Sequence, residues 1–265
     1  TATANGKRCQ AMGGAKNHMI IMPDADLDQV SDALIGSAYG SAGERCMAIS
    51  AAVAVGGVGE DVASMLKPRV EALKVGPSLD GSSEMGPLVT KAHYDKVRGY
   101  VDVGVEEGAN LVVDGRDFSC GKQGYENCFY MGGSLFTGVK QHMKSYQEEI
   151  FGPVLQILDA ENFEDAVKFP NEHQYGNGTS IFTRDGDSAR EYADKVEVGM
   201  VGINVPIPVP LAFHTFGGWK DSAFGDINQH GEAGVRFYTK TKTVTTRWPK
   251  GLREGAQFVI PTLNG

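Results

Sequence analysis

The 265-residue chain sets 25 basic against 33 acidic residues for a net charge of -8, with no basic cluster that could neutralise a run of phosphates, which argues against a nucleic-acid partner. Hydrophobic residues make up 41%, yet a charged side chain interrupts every apolar stretch well before the roughly 20 residues that a membrane helix needs. The length is enough to bury a sizeable core, in one large domain or two small ones.

From the amino terminus, Met19-Ile20-Ile21-Met22 is an apolar run of strand length, closed by Pro23 and Asp24. Asp24 or Asp26 can cap a helix whose apolar residues Leu27, Val30, Leu34 and Ala38 share one face, with Gly36, Gly40 and Gly43 loosening its far end. That helix delivers Cys46 to a turn. Residues 49–55 read as a strand, and Val62, Leu66, Val70 and Leu73 mark a second amphipathic helix. Thr90 can open a third through Val97 and Val101, and Leu111-Val112-Val113 is a strand running into Asp114-Gly115.

The alternation continues with strands at 154–158, 180–182 and 200–204 and helices at 162–169 and 185–196. Strands alternating with helices predict an α/β fold, an open twisted, largely parallel sheet with helices on both faces. Asn204-Val205-Pro206-Ile207-Pro208-Val209-Pro210 must be a rigid loop, because three prolines remove three backbone donors. Residues 237–247, rich in Thr and Val, are strongly strand-forming and are expected to pair outside their own domain.

The four cysteines, Cys9, Cys46, Cys120 and Cys128, include no Cys-x-x-Cys pair, and a chain of this length needs no disulfides, so reduced thiols in a cytosol-like compartment are expected. Cys120 and Cys128 flank a glycine-rich, hairpin-like stretch. The six histidines are scattered without metal-ligand spacing, and no metal is expected. No Gly-x-Gly-x-x-Gly follows a strand and no phosphate-binding loop is present, so the chain is expected to carry no dinucleotide fold of its own. No signal or transit peptide opens it, and Thr1 suggests a processed or excised fragment.

Most unpaired cysteines are inert core residues. Gly40-Ser41-Ala42-Gly43-Glu44-Arg45-Cys46-Met47 is different, because small neighbours leave the sulfur open and a cation stands beside it, conditions that make a thiolate nucleophile. Together with Glu148-Glu149-Ile150-Phe151-Gly152-Pro153-Val154, this stretch resembles the aldehyde dehydrogenase superfamily. Gly14-Ala15-Lys16-Asn17-His18, Tyr175-Gly176-Asn177-Gly178, the proline-rich loop through Leu211, Phe216-Gly217-Gly218-Trp219-Lys220 and Phe237-Tyr238-Thr239 bring the likeness to the CoA-acylating methylmalonate-semialdehyde dehydrogenase family. The resemblance runs from Gln10 to Pro261.

The resemblance implies a catalytic domain over 1–236 and a C-terminal oligomerisation arm and tail over 237–265, with the family's Rossmann domain preceding this chain. It implies that Cys46 attacks the aldehyde carbon, that Glu149 accepts the hydroxyls of the nicotinamide ribose of NAD, and that Phe151 packs near the nicotinamide. Arg45 would pair with the far carboxylate of a semialdehyde, for which a guanidinium fork is well shaped. Hydrolytic relatives carry a general-base glutamate at the position of Met12, and methionine cannot activate water, so coenzyme A is the expected acyl acceptor. The implied reaction converts methylmalonate semialdehyde, or malonate semialdehyde, to propionyl-CoA or acetyl-CoA in the cytoplasm, or in the mitochondrial matrix of a eukaryote, within a homo-oligomer. Two alternatives stand beside it: a hydrolytic semialdehyde dehydrogenase whose base lies elsewhere, and a folded assembly module without turnover.

Overall fold

A computed structural model describes residues 1–225 and 227–248. In chain order the first half carries β1 (Ala11–Met12), β2 (Asn17–Ile21), α1 (Leu27–Leu34), β3 (Ile49–Val55), α2 (Gly59–Glu71), α3 (Lys91–Glu106), β4 (Asn110–Val113) and β5 (Ser134–Thr137). The second half carries α4 (Lys144–Gln147), β6 (Val154–Ala160), α5 (Phe163–Glu172), β7 (Tyr175–Gly176), β8 (Gly178–Phe182), α6 (Gly186–Lys195), β9 (Met200–Ile203), β10 (Trp219–Lys220), β11 (Ala223–Phe224) and α7 (Gly231–Tyr238).

Seven strands form one sheet in the order β4-β5-β6-β3-β2-β8-β9, antiparallel only between β4 and β5. β2 and β8 are buried at every residue and β3 at all but Ser50, a continuous rather than alternating pattern that demands cover on both faces of the sheet. α2 lies against β3 to β6, α5 against β2, β3 and β6, and α6 against β8. The helices begin where the sequence predicts because their caps are real: the side chains of Asp26, Thr90, Asn162 and Asp185 accept the N–H of Gln29, His93, Asp165 and Ser188. Val62, Leu66 and Val70 are the buried face of α2. The largely parallel α/β architecture expected from the alternation is the one observed.

The strands β2, β3, β6 and β8 run parallel, so the loops feeding them, residues 12–16, 43–48, 148–153 and 177, gather at one edge of the sheet. This is the amino-terminal edge, the opposite end from the one where open α/β sheets ordinarily bind ligands.

Three stretches differ from the sequence expectation. β5 has only four residues, too short for a periodicity, and takes its extended form from fitting between β4 and β6. Residues 120–128 form turns rather than a hairpin. Phe237 and Tyr238, expected in a strand, close α7, and residues 239–248 carry no strand. β-propensity measures fit on a partnered, half-buried surface, and all of these residues but the half-buried Phe237 are exposed, with Phe237 O and Thr239 O taken by Nη1 of Arg8 at 2.7 and 2.6 Å. The rest of the expected arm, 249–265, lies outside the described residues. Among the described residues no helix is long and apolar enough to cross a membrane, and no group of three or more His, Cys, Asp or Glu is placed to hold a metal ion.

Candidate active site

α1 does not end in an ordinary cap. Its last turn widens into a π turn over Ile35–Tyr39, followed by a tight turn over Gly40–Gly43 in which Ser41, Ala42 and Gly43 have φ of 54°, 54° and 69°. Left-handed backbone at two non-glycine residues in succession is costly and holds only where the surroundings enforce it. The chain then enters a β-turn closed by the Ala48 N–H on the Arg45 carbonyl at 3.0 Å, with Cys46 and Met47 at its centre. The Arg45–Cys46 peptide turns its carbonyl into the turn and its N–H away from it. Met47 is buried, whereas Cys46 is exposed, which separates it from the usual core thiol.

The loop carrying Glu149 and Phe151 meets this turn directly. A Cβ on Gly43 would lie 3.0 Å from Pro153 N and closer still to the Gly152 carbonyl, so only glycine lets the two loops touch. Phe151 sits at φ 60°, and its carbonyl lies 2.5 Å from Nε2 of His93 on α3. Oε1 of Glu149 accepts the Ala15 N–H at 2.9 Å.

An open cleft of about 600 Å³ results, and Met12, Cys46, Glu149, Phe151, His93 and Lys96 are on its walls. Four residues singled out from sequence, Met12, Cys46, Glu149 and Phe151, are thus brought together across 139 positions of sequence (151 − 12). Arg45 is placed differently. It lines a narrow recess beside Cys46, and its Nη2 donates to the Gly36 carbonyl at 2.5 Å, tying the turn to the end of α1.

The family model for aldehyde dehydrogenases matches residues 1–244. The chain belongs to the aldehyde dehydrogenase family. It is 55% identical over 263 residues to a malonate-semialdehyde dehydrogenase of Pseudomonas aeruginosa, covering 98% of this chain and 52% of that protein. A malonate-semialdehyde dehydrogenase of Halalkalibacterium halodurans is 43% identical over 248 residues, 94% of this chain and 50% of its own length. Among solved structures, a Sinorhizobium meliloti protein assigned provisionally as a methylmalonate-semialdehyde dehydrogenase, complexed with NAD, superposes with a TM-score of 0.93 at 57% identity over 96% of this chain and 51% of that one. The methylmalonate-semialdehyde dehydrogenase of Oceanimonas doudoroffii gives 0.92 at 54% identity, over 94% and 51%. The chain spans about half the length of the relatives it matches.

In this aldehyde dehydrogenase chain, sequence reasoning missed a set of supporting residues. Lys16 is 2% exposed, and its Nζ donates to Ser145 O at 2.8 Å and Glu148 O at 3.1 Å, so it staples the segment leading to Glu149. Burial lowers its pKa to about 7, against the opposing pull of Glu149. Behind it lie His18 and His173, both buried. His18 Nε2 pairs with Tyr146 OH at 2.8 Å. His173 Nδ1 accepts the Tyr175 N–H at 3.1 Å, so its proton is on Nε2, 3.3 Å from Tyr146 O. Burial holds both imidazoles neutral, His18 well below its ordinary range and His173 at about 4, with Lys16 and Lys220 adding to the effect. The one available signal was Lys16 itself, a charge three positions before the apolar run Met19-Ile20-Ile21. Asn17 and Asn177, whose amides both reach the Cys46 carbonyl at 2.9 and 2.8 Å, left no signal in spacing at all.

Proposed function

We propose that this chain carries the nucleophile of an NAD-dependent, CoA-acylating semialdehyde dehydrogenase that takes methylmalonate semialdehyde and malonate semialdehyde. The observation that carries the reading is the single cleft shared by Cys46, Glu149, Phe151 and Met12.

The Cys46 thiolate attacks the aldehyde carbon. A C–S bond forms and the carbonyl electrons move to oxygen, where the Cys46 N–H would receive the charge; such a donor is worth about 2.7 to 4 kcal/mol. The cleft fits the cofactor on one wall: among the described residues Glu149 spends only Oε1, on the Ala15 N–H, leaving its second oxygen for ribose hydroxyls, and Phe151 adds an aromatic face. Bound NAD supplies the acceptor for the hydride that leaves the tetrahedral carbon. Lys96, whose Nζ gives one N–H to Glu149 O at 3.2 Å, lines the same cleft with donors left to face anionic oxygens. The acyl group then stays on Cys46 as a thioester.

Met12 lines the cleft, and the resemblance puts it at the position of the hydrolytic relatives' base, so that position supplies no group that activates water. A coenzyme A thiolate needs no such help: it adds to the thioester carbon and expels the Cys46 thiolate. Loss of carbon dioxide from the β-carboxyl acyl group leaves the C–C electrons on the α-carbon as an enolate, which takes a proton from solvent to give propionyl-CoA or acetyl-CoA. Arg45 is the candidate partner for the substrate carboxylate. Residues 237–265 are the candidate arm of a homo-oligomer, and the compartment is the cytoplasm, or the mitochondrial matrix in a eukaryote.

The test is product analysis of NADH and acyl species with and without CoA. It is run on this chain alone and after adding a polypeptide for the half of the relatives that it does not span. NADH with acyl-CoA in the combined sample is expected. Free acid formed equally fast without CoA would favour a hydrolytic enzyme, and no NADH in any combination would favour an assembly module.

A further inference from the structure

We infer that Asn17 and Asn177 are positioning residues that lock the turn presenting Cys46, an inference that rests on the reading of Cys46 as nucleophile. The central peptide of a four-residue turn, here Cys46–Met47, is its loosest part: rotating it by about 180° interconverts the two common turn types while the flanking residues stay in place. In this turn the rotation would swing the Cys46 carbonyl from one face to the other. That carbonyl is the backbone acceptor nearest in the chain to the Cys46 sulfur. Turned toward the cleft, its negative end would oppose the charge that develops on the oxygen of an attacked carbonyl.

A carbonyl oxygen has two lone pairs, and here two side-chain amides converge on it. Asn17 and Asn177 come from different strand starts, Asn17 opening β2 and Asn177 immediately preceding β8. Asn17 is 2% exposed and fully used, giving one N–H to Cys46 O and one to Ala48 O at 2.9 Å each while Oδ1 accepts Gly178 N–H at 3.1 Å. It sits where the β2–β3 register shifts, between Asn17 and His18, so its amide bridges a gap in the backbone ladder. Asn177 is 5% exposed, and its Nδ2 also approaches Met47 Sδ at 3.1 Å, gripping the turn on both sides of its central peptide. The neighbouring left-handed backbone at Ser41 to Gly43 fixes how the chain enters the turn, and the two asparagines fix how it leaves.

Two reagents separate positioning from simple structural support. With p-nitrophenyl acetate the Cys46 thiolate adds to the ester carbon, a C–S bond forms, and p-nitrophenolate leaves with the C–O electrons, so an oxyanion is made on the way. With iodoacetamide the thiolate displaces iodide from a saturated carbon and no oxyanion arises. Both are followed at the Cys46 peptide by mass spectrometry, across pH 6 to 9.5, so that rates are compared per thiolate.

Asn177→Ala should slow acetylation about 10- to 100-fold, the range expected when a reacting group is misplaced by about an ångström, while alkylation stays within about threefold. Asn17→Ala should do at least as much. Asn177→Leu, close in shape and without a donor, gives the same comparison should either alanine variant fail to fold. An acetylation-to-alkylation ratio within about threefold of wild type, whatever the change in thermal stability, would overturn the proposal and leave the asparagines as supports of the fold. No acetylation of wild-type Cys46 at all would overturn the nucleophile reading together with this one.

Discussion

Gly43 and Gly152 meet backbone to backbone, and that contact is what places Cys46 beside Glu149 and Phe151. Gly43→Ala adds a methyl group against the Gly152 carbonyl and asks alanine to hold φ near 69°. The two penalties together predict a loss of about 2 to 4 kcal/mol, read as a shift in the urea midpoint. A variant within about 0.5 kcal/mol of wild type would show that the loops do not touch as described.

Arg45 has two roles to separate. Its Nη2 bond to Gly36 O predicts that Arg45→Ala lowers stability by about 1 kcal/mol with no ligand present. If the guanidinium also takes the substrate carboxylate, the same variant in the assembled enzyme should raise KM for malonate semialdehyde at least about tenfold more than for an uncharged aldehyde such as propanal. Equal changes for the two substrates would leave Arg45 as a fastener of the turn only.

Acid should destabilise the protein through its buried histidines. In the unfolded chain His18 and His173 bind protons near pH 6.5, whereas the folded chain keeps His173 neutral down to about 4 and His18 neutral well below its ordinary range. The unfolded state therefore holds more protons across this window, and stability falls as pH drops from 6.5 toward 4. His173→Gln should flatten the urea midpoint between pH 6.5 and 4.5, and an unchanged slope would contradict the neutral assignment.

Lys16 predicts a second slope at higher pH. From about pH 7 to 10.5 the unfolded chain keeps a proton on Lys16 that the folded chain releases, so stability rises with pH over that window. Buried tyrosines such as Tyr146 oppose the trend above about pH 10, so the comparison is best made between pH 7 and 9.5. Lys16→Met should remove most of the rise, on the order of 2 kcal/mol, in chemical denaturation at the two pH values. A wild-type midpoint that does not move over this range would refute a lowered Lys16 pKa.

Met12 tests the choice of acyl acceptor. In the assembled enzyme, wild type without CoA should give a burst of NADH and then a slow steady state. Met12→Glu should open a water route releasing free acid, since general-base catalysis is worth about 100- to 10,000-fold. The rates should be followed up to about pH 9, because a carboxyl in a cleft can remain protonated at neutral pH. Cys46→Ala should abolish both routes. Wild-type release of free acid at the same rate with and without CoA would remove Met12 as the determinant.

The sequence by itself determined α1, α2, α3, α5 and α6 and most strands of the seven-stranded sheet, because those signals are local: Asp26, Thr90, Asn162 and Asp185 cap helices from within a few residues, and the apolar run Met19-Ile20-Ile21-Met22 announces β2. It also marked Cys46, Glu149, Phe151 and Met12, since their motif neighbours are adjacent in the chain. It could not decide which loops meet. Parallel pairing of β2, β3, β6 and β8 sends their preceding loops to one edge, and two of its three pairings, β2 with β8 and β3 with β6, join residues more than a hundred positions apart. The same long range hid the Asn17 and Asn177 grip on Cys46 O, 29 and 131 positions away. It hid the lowered pKa of Lys16 as well, which arises from burial under a segment 129 to 132 positions on. For Phe237 and Tyr238 local propensity alone misled, because the chain closes α7 there; at 239–247 a strand needs a partner to supply the other half of its hydrogen bonds, and the partner expected for it lies outside this chain.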